Sequence, residues 1–131
     1  MKLKRFLFVS KDSLSGDLAV HLLNEGHDVR FYFEDKYSKD VYDGFIEKVS
    51  NWKKYLRWAD VIIFDDENFG HYADKLRKRG KLVIGGSRYT DKLEIDRDFG
   101  RFFQNWGQHR WIAKTTPLLE RTKIWITKCR R

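Results

Sequence analysis

The sequence predicts an α/β domain: a Rossmann-like open parallel sheet of about four to five strands with helices on both faces. Three observations carry this. Short apolar runs recur near residues 6, 31, 62 and 83. Segments with helical spacing separate them, and small or acidic residues punctuate nearly every junction.

Arg5-Phe6-Leu7-Phe8-Val9 is a continuous apolar run, the pattern of a strand buried on both faces. After the loop Ser10–Asp17, the residues Leu18, Ala19, Leu22 and Leu23 place an apolar stripe on one helix face. Ser13 or Ser15 can cap that helix, and Gly26 can end it in the left-handed conformation. Asp28–Phe33 is the second strand, which completes a right-handed parallel βαβ unit. Tyr37–Tyr42 reads as a loop and Phe45–Val49 as a short edge strand. Asn51–Ala59 reads as a helix with Trp52, Tyr55, Leu56 and Ala59 on one side. Val61–Phe64 consists of β-branched and aromatic residues between acids, a strong strand pattern. A helix over His71–Arg79 stops at Gly80, and Leu82–Ile84 is expected as another buried strand. Thr90–Gly100 is expected to be helical, with Leu93 and Phe99 as core candidates.

The chain has 131 residues, 41% of them hydrophobic, enough for one domain with a real core. Phe6–Val9 is too short for the apolar stretch of a signal peptide, and no run reaches the roughly 20 residues of a membrane span. A cytoplasmic protein without membrane contact is therefore expected. Cys129, the single cysteine, has no internal disulfide partner. The net charge of +8 is unevenly spread: residues 1–100 hold 19 Lys/Arg against 18 Asp/Glu, and residues 101–131 hold 8 against Glu120 alone. A balanced main body argues against a nucleic-acid partner. The run Lys75–Arg79 is explained locally, because cations at a helix C-terminus oppose the dipole.

Two segments follow: a domain over 1–100 and a basic, Trp-rich extension over 101–131. The extension contains three of the five tryptophans and Pro117, the only proline, and has no clear helical stripe. It reads either as an irregular tail or as a frame-shifted one. Phe103–Arg110 can be encoded so that a neighbouring frame reads Phe-Pro-Lys-Leu-Gly-Thr-Thr-Pro, which continues a helix into a turn more naturally. An exposed Phe102–Ile112 segment would favour a homodimer.

In an open parallel sheet the ligand lies outside the carboxyl ends of the strands, at the switch in strand order. Four loops should meet there: Ser10–Gly16, Glu34-Asp35, Asp65–Gly70 and Gly85–Ser87. Ser10, Ser13, Ser15 and Gly16, with Gly85, Gly86 and Ser87, are the candidates for holding a phosphate, since small residues before a helix expose backbone amides. Helix capping and a plain tight turn are the competing roles of these residues. Glu34 could accept a ribose hydroxyl, but the first loop has no G-x-G-x-x-G, which argues against an NAD enzyme. Asp65 and Asp66 are further rim candidates, as magnesium ligands or as members of a solvated loop. His21, His27, His71 and His109 show no ligand spacing, so no metal site is assigned, and no catalytic constellation is legible.

Val83-Ile84-Gly85-Gly86-Ser87 and the following Thr90-Asp91-Lys92-Leu93-Glu94-Ile95-Asp96-Arg97-Asp98-Phe99-Gly100 resemble a known junction. It is similar to the end of the N-terminal, pre-ATP-grasp domain of phosphoribosylamine–glycine ligases. There a strand ends in a small-residue turn, and a helix with Leu-Glu and a Ser/Asp-Lys pair follows. Here Leu93-Glu94 matches and Asp96-Arg97 stands at the pair. The resemblance covers roughly residues 4–100. The first loop departs from it, with one glycine where the family has several. The resemblance implies a substrate-side domain of a carboxylate–amine ligase of purine biosynthesis, holding a phosphorylated small-molecule substrate. It also implies ATP and magnesium bound by an ATP-grasp domain that 31 further residues cannot supply, so the isolated chain is expected to be inactive. A stand-alone nucleotide- or phosphate-binding module is the alternative. A nucleic-acid binder using Trp106, Arg110, Trp111, Arg130 and Arg131 is a third.

Overall fold

The apolar runs and capped segments resolve, in a computed structural model that describes residues 2–35 and 40–101, into a five-stranded sheet with helices on both faces. The elements in order are β1 (Arg5–Ser10), α1 (Gly16–Asn24), β2 (Asp28–Phe33), β3 (Glu47–Lys48), a 3₁₀ turn (Trp52–Tyr55), β4 (Val61–Phe64), α2 (Gly70–Lys78), β5 (Leu82–Ile84) and α3 (Arg88–Ile95). The strand order is β3-β2-β1-β4-β5, and every pairing is parallel. This is the Rossmann-like α/β architecture. Phe8 pairs with Phe31 on one side and Ile63 on the other, which places β1 at the centre.

Alternation along the strands sorts the core into two layers. Leu7, Val9, Ile62, Phe64 and Val83 face Trp52, Ala59, Phe69, Ala73 and Leu76. Phe8, Val29, Phe31, Phe33, Val61 and Ile63 face Ala19 and Ile46, with Val20, Leu22, Leu23 and Tyr42 partly buried beside them. Phe8 and Phe31 are wholly buried and stack at 5.2 Å. Gly26 (φ 87°) and Gly80 (φ 77°) end their helices in the left-handed region as the sequence indicates.

Four expectations are corrected. The helix expected over Thr90–Gly100 is α3, Arg88–Ile95, with Asp96 outside it, and Leu93 and Phe99 are only half-buried. Within residues 51–59 the helical part is a short 3₁₀ turn, Trp52–Tyr55, rather than a longer helix. Asn51 accepts from the Lys53 N–H at 3.0 Å, Trp52 is buried edge-on to Phe64, and the Asp60 amide already joins Arg5 O at 2.9 Å. One i→i−4 bond, from Ala59 N to Tyr55 O at 3.0 Å, then closes the segment. Leu18 is exposed, and α1 meets the core through Ala19 with Val20, Leu22 and Leu23 partly buried beside it. Leu82 and Ile84 are 62% and 54% exposed, because β5 is an edge strand and α1 packs on β2, away from it.

The chain divides into two compact units between Asp91 and Lys92, within α3. In the second, Gly100 N donates to Asp96 O at 2.9 Å and the Lys92 ammonium lies 3.9 Å from the Phe99 ring. Among the described residues no helix is long and apolar enough to cross a membrane. The readings of Phe102–Ile112, of Trp106, Arg110, Trp111, Cys129, Arg130 and Arg131, and of a shifted frame lie outside the described residues.

Candidate functional site

The strand order reverses between β1 and β4, so the loops that follow these two strands lie side by side at the carboxyl ends of the sheet. The chain's own carboxylates fill the space between them. Asp66 Oδ2 accepts from Ser10 Oγ at 3.1 Å, from Lys11 N at 2.6 Å and from Asp12 N at 3.4 Å. Asp65 Oδ2 accepts from Ser15 N at 2.9 Å and from the Ser15 hydroxyl. Ser10 is fully buried and its oxygen also accepts from Ser13 N at 2.9 Å, with Ser13 held at φ 64°. The Lys11 ammonium reaches Glu67 at 2.7 Å, which lifts the lysine above its ordinary value and lowers the glutamate.

Each predicted residue of the first loop thus has an internal task. Ser15 sits at the N-cap of α1 but makes no side-chain cap, since its hydroxyl turns to Asp65. Gly16 is pressed against Tyr42: a Cβ there would lie 2.0 Å from the ring, and the Tyr42 hydroxyl donates to Asp17 at 2.8 Å. Asp65 and Asp66 are neither solvated nor arranged for magnesium. Burial pushes the Asp65 carboxyl up, against the pull of the Ser15 and Ser10 hydroxyls, and its Oδ1 is buried with no hydrogen-bond partner. Among the described residues no group of His, Cys, Asp or Glu is placed to hold a metal ion.

The Gly85–Ser87 turn is built as tightly. Gly85 has φ 135°, and a Cβ there would meet Phe64 O at 2.4 Å. A Cβ on Gly70, at the start of α2, would meet the Ser87 carbonyl group at 2.2 Å. Ser87 N donates to Thr90 Oγ1 at 2.5 Å, while Ser87 Oγ accepts from Tyr89 N and Thr90 N at 3.2 Å each, so the serine caps α3. The Arg77 guanidinium donates to Gly85 O at 2.6 Å and Gly86 O at 3.2 Å. Asp91 Oδ2 accepts from Gly70 N at 2.8 Å, and Asp74 Oδ2 from Arg88 N at 3.0 Å. A carboxylate of the chain therefore stands at the N-terminal end of each of α1, α2 and α3, where a bound anion would otherwise sit.

Glu34 is exposed at the end of β2, its amide donating to Ser10 O at 2.9 Å. It borders an open depression of about 390 Å³ with Tyr32, Phe33, Lys48, Val49 and Ser50. The four rim loops together hold Asp12, Glu34, Asp35, Asp65, Asp66 and Glu67 against Lys11, so the rim is electronegative. The loops are legible in the sequence, but Tyr42, Asp74, Arg77 and Asp91 as their organisers are not. The available signal was the pair of aspartates directly after β4, the strand whose end faces the first loop.

No protein-family model matches the sequence, and no curated protein matches it. Among solved structures it is similar to an imine reductase from Myxococcus stipitatus, a V8 variant in complex with NAD+, at 15% identity and a TM-score of 0.49. That match covers 85% of this chain and 36% of the reductase, so the chain spans about a third of that protein's length.

Proposed function

We propose that this chain is the substrate-side domain of a carboxylate–amine ligase of the ATP-grasp kind, resembling the N-terminal domain of phosphoribosylamine–glycine ligases. The observation that carries the reading is the electronegative rim at the switch point. Six carboxylates gather there against Lys11 and the Arg77 guanidinium, with amides of the first loop and of the α2 and α3 starts already bonded to carboxylates. Such a rim suits a cation, and an aliphatic amine substrate would arrive there as an ammonium. Glu34 and Ser50, beside the depression, suit sugar hydroxyls. The Gly85–Ser87 turn, where the resemblance is most specific, depends sterically on glycine at position 85, which supports the same kinship.

ATP and magnesium do not fit these residues. Among the described residues no group of His, Cys, Asp or Glu is placed to hold a metal ion, and internal carboxylates stand where triphosphate oxygens would go. In this reading nucleotide and metal belong to an ATP-grasp portion rather than to these residues. By the same argument the substrate's phosphate points away from Ser10–Gly16.

Thermal melts with a matched pair, glucosamine 6-phosphate and glucose 6-phosphate, test the reading. The amino sugar phosphate is expected to raise Tm by several degrees at concentrations well above its Kd, and the neutral sugar phosphate to raise it less. An ATP-grasp portion added in trans should then give ATP-dependent turnover. Equal shifts from both sugars, or a shift with AMP alone, would replace this reading with a stand-alone nucleotide- or phosphate-binding module.

A further inference from the structure

The near balance of charge over residues 1–100 conceals a segregation that the fold makes visible. Segments 51–59 and 70–81 cover one face of the sheet. They hold Lys53, Lys54, Arg57, Lys75, Arg77, Lys78, Arg79 and Lys81 against Asp74 alone. The rest of residues 1–100 holds 11 Lys/Arg and 17 Asp/Glu, so one face is strongly cationic and the remainder anionic. Among the described residues, Arg77 is the only one of the eight with a carboxylate partner, Asp74 at 3.4 Å. Arg88 adds a further cation beside His71, Asp74, Lys75 and Lys78, around a second depression of about 350 Å³. The α2 dipole accounts for cations in its own last turn, but not for Lys53, Lys54 and Arg57, which arrive from a different element.

Within this face lies an apolar recess of about 270 Å³. Trp52, Leu56, Tyr72 and Leu76 line it, and Lys53, Lys75 and Arg79 complete its lining. We propose that this face is a docking surface for an acidic protein segment, one that seats a bulky apolar side chain in the recess and lays its carboxylates against the surrounding cations. The inference is independent of the ligase reading. The recess is smaller than the roughly 300–1,000 Å³ of small-molecule sites, which favours a single side chain over a nucleotide. A nucleic-acid strand fits less well. Trp52 is 6% exposed and edge-on to both Phe64 and Tyr72, while Tyr72 also lies against His71, which leaves no open aromatic platform for stacking bases. The chain's own last 31 residues, with eight Lys/Arg and one Glu, do not supply the complementary charge.

The probe is a fluorescein-labelled helical peptide with Leu and Phe four residues apart among glutamates. Anisotropy is measured on the full chain. The peptide is expected to bind, and the triple variant Lys53→Gln/Lys75→Gln/Arg79→Gln to bind it about tenfold more weakly, whereas Lys2→Gln/Lys4→Gln changes affinity less than about twofold. Replacing the peptide's Leu and Phe by Ala should weaken binding about fivefold, a loss of seated apolar area. Circular dichroism checks the fold of each variant; should the triple variant not fold, Lys75→Gln alone is expected to weaken binding about threefold. An unchanged affinity in the folded triple variant, or in Lys75→Gln where that takes its place, overturns the proposal. So does an alanine peptide that binds as tightly as the anchored one. Oligothymidylate that binds more tightly than the peptide, through the same residues, overturns it in favour of a nucleic-acid surface.

Discussion

At the switch-point rim, carboxylates and donors are matched within the chain: Asp66 to the Ser10–Asp12 loop, Asp65 to Ser15, Glu67 to Lys11, Asp91 to Gly70. On the outer surface of α2 and the Trp52–Tyr55 turn, cations collect with a single carboxylate among them. The two regions adjoin through α2, whose first amide belongs to the rim and whose exposed side carries the cations. The difference separates two uses of charge. Charges that organise backbone are buried or half-buried and short-range, and they contribute to the fold. Charges left exposed and of one sign contribute little to stability and act on whatever approaches.

Asp66 offers the sharpest way to break this contrast. Asp66→Ala leaves Ser10 Oγ, Lys11 N and Asp12 N without their acceptor, and Ser10 is fully buried. The expected loss is about 2 kcal/mol in urea unfolding, with Asp66→Asn, which keeps one acceptor, losing about half of that. The vacated amides would then form the anion cradle that the parent chain lacks. Inorganic phosphate should restore part of the stability of Asp66→Ala and none in the parent. A parent stabilised as much as the variant would mean that the rim is open to anions after all.

The same contact shows how far the sequence could be read. β1, β2 and β4 were legible because each is nearly continuous in apolar residues over four or more positions. Gly26 and Gly80 were legible because a helix end needs a left-handed residue within its own local sequence. Leu82 and Ile84 were not, because an edge strand and a central strand share one local pattern, and only the strand order decides which is covered. The four loops of the rim were legible from topology alone. Their occupancy was not: Asp66 reaches Ser10 across 56 positions and Asp65 reaches Ser15 across 50, and no periodicity connects residues that far apart. The cationic face was hidden by addition, since a near-zero sum over residues 1–100 is equally compatible with mixing and with segregation.

A smaller effect, of defined sign, is expected from pH. Burial raises the Asp65 carboxyl, so the folded state binds its proton more readily than the unfolded chain does. Acidification from the raised folded value toward the ordinary carboxylate value of about 3.9 therefore adds stability through this group. Glu67 behaves oppositely: lowered by Lys11, it contributes above the ordinary value, and that contribution is lost as pH falls through its folded value. Asp65→Asn removes only the first effect. Urea midpoints near pH 7 and about pH 4 should show the parent gaining on the variant as pH falls. A constant difference would mean that Asp65 is no more buried than an ordinary rim carboxylate.

The smallest expected effect tests the other half of the contrast, and position along α2 decides its sign. Lys75 is exposed and opens the last turn of α2, four residues after His71 and four before Arg79. Lys75→Glu removes a like-charge neighbour and places a carboxylate four residues ahead of an arginine, the favourable orientation worth about 0.3–0.5 kcal/mol, against a weaker dipole cost at the start of the last turn, for a small net gain. Lys78→Glu removes the same unit of repulsion, but from the end of that turn, where a cation opposes the dipole most closely, by about 0.3–1 kcal/mol, so its net effect should be below that of Lys75→Glu and near zero or negative. Salt of about 0.5 M should shrink both differences, since an exposed field of one sign is screened within a few ångströms there. If Lys75→Glu instead destabilises the domain and salt leaves the loss in place, Lys75 is held by a specific contact, and the face is not a field of unanswered charge.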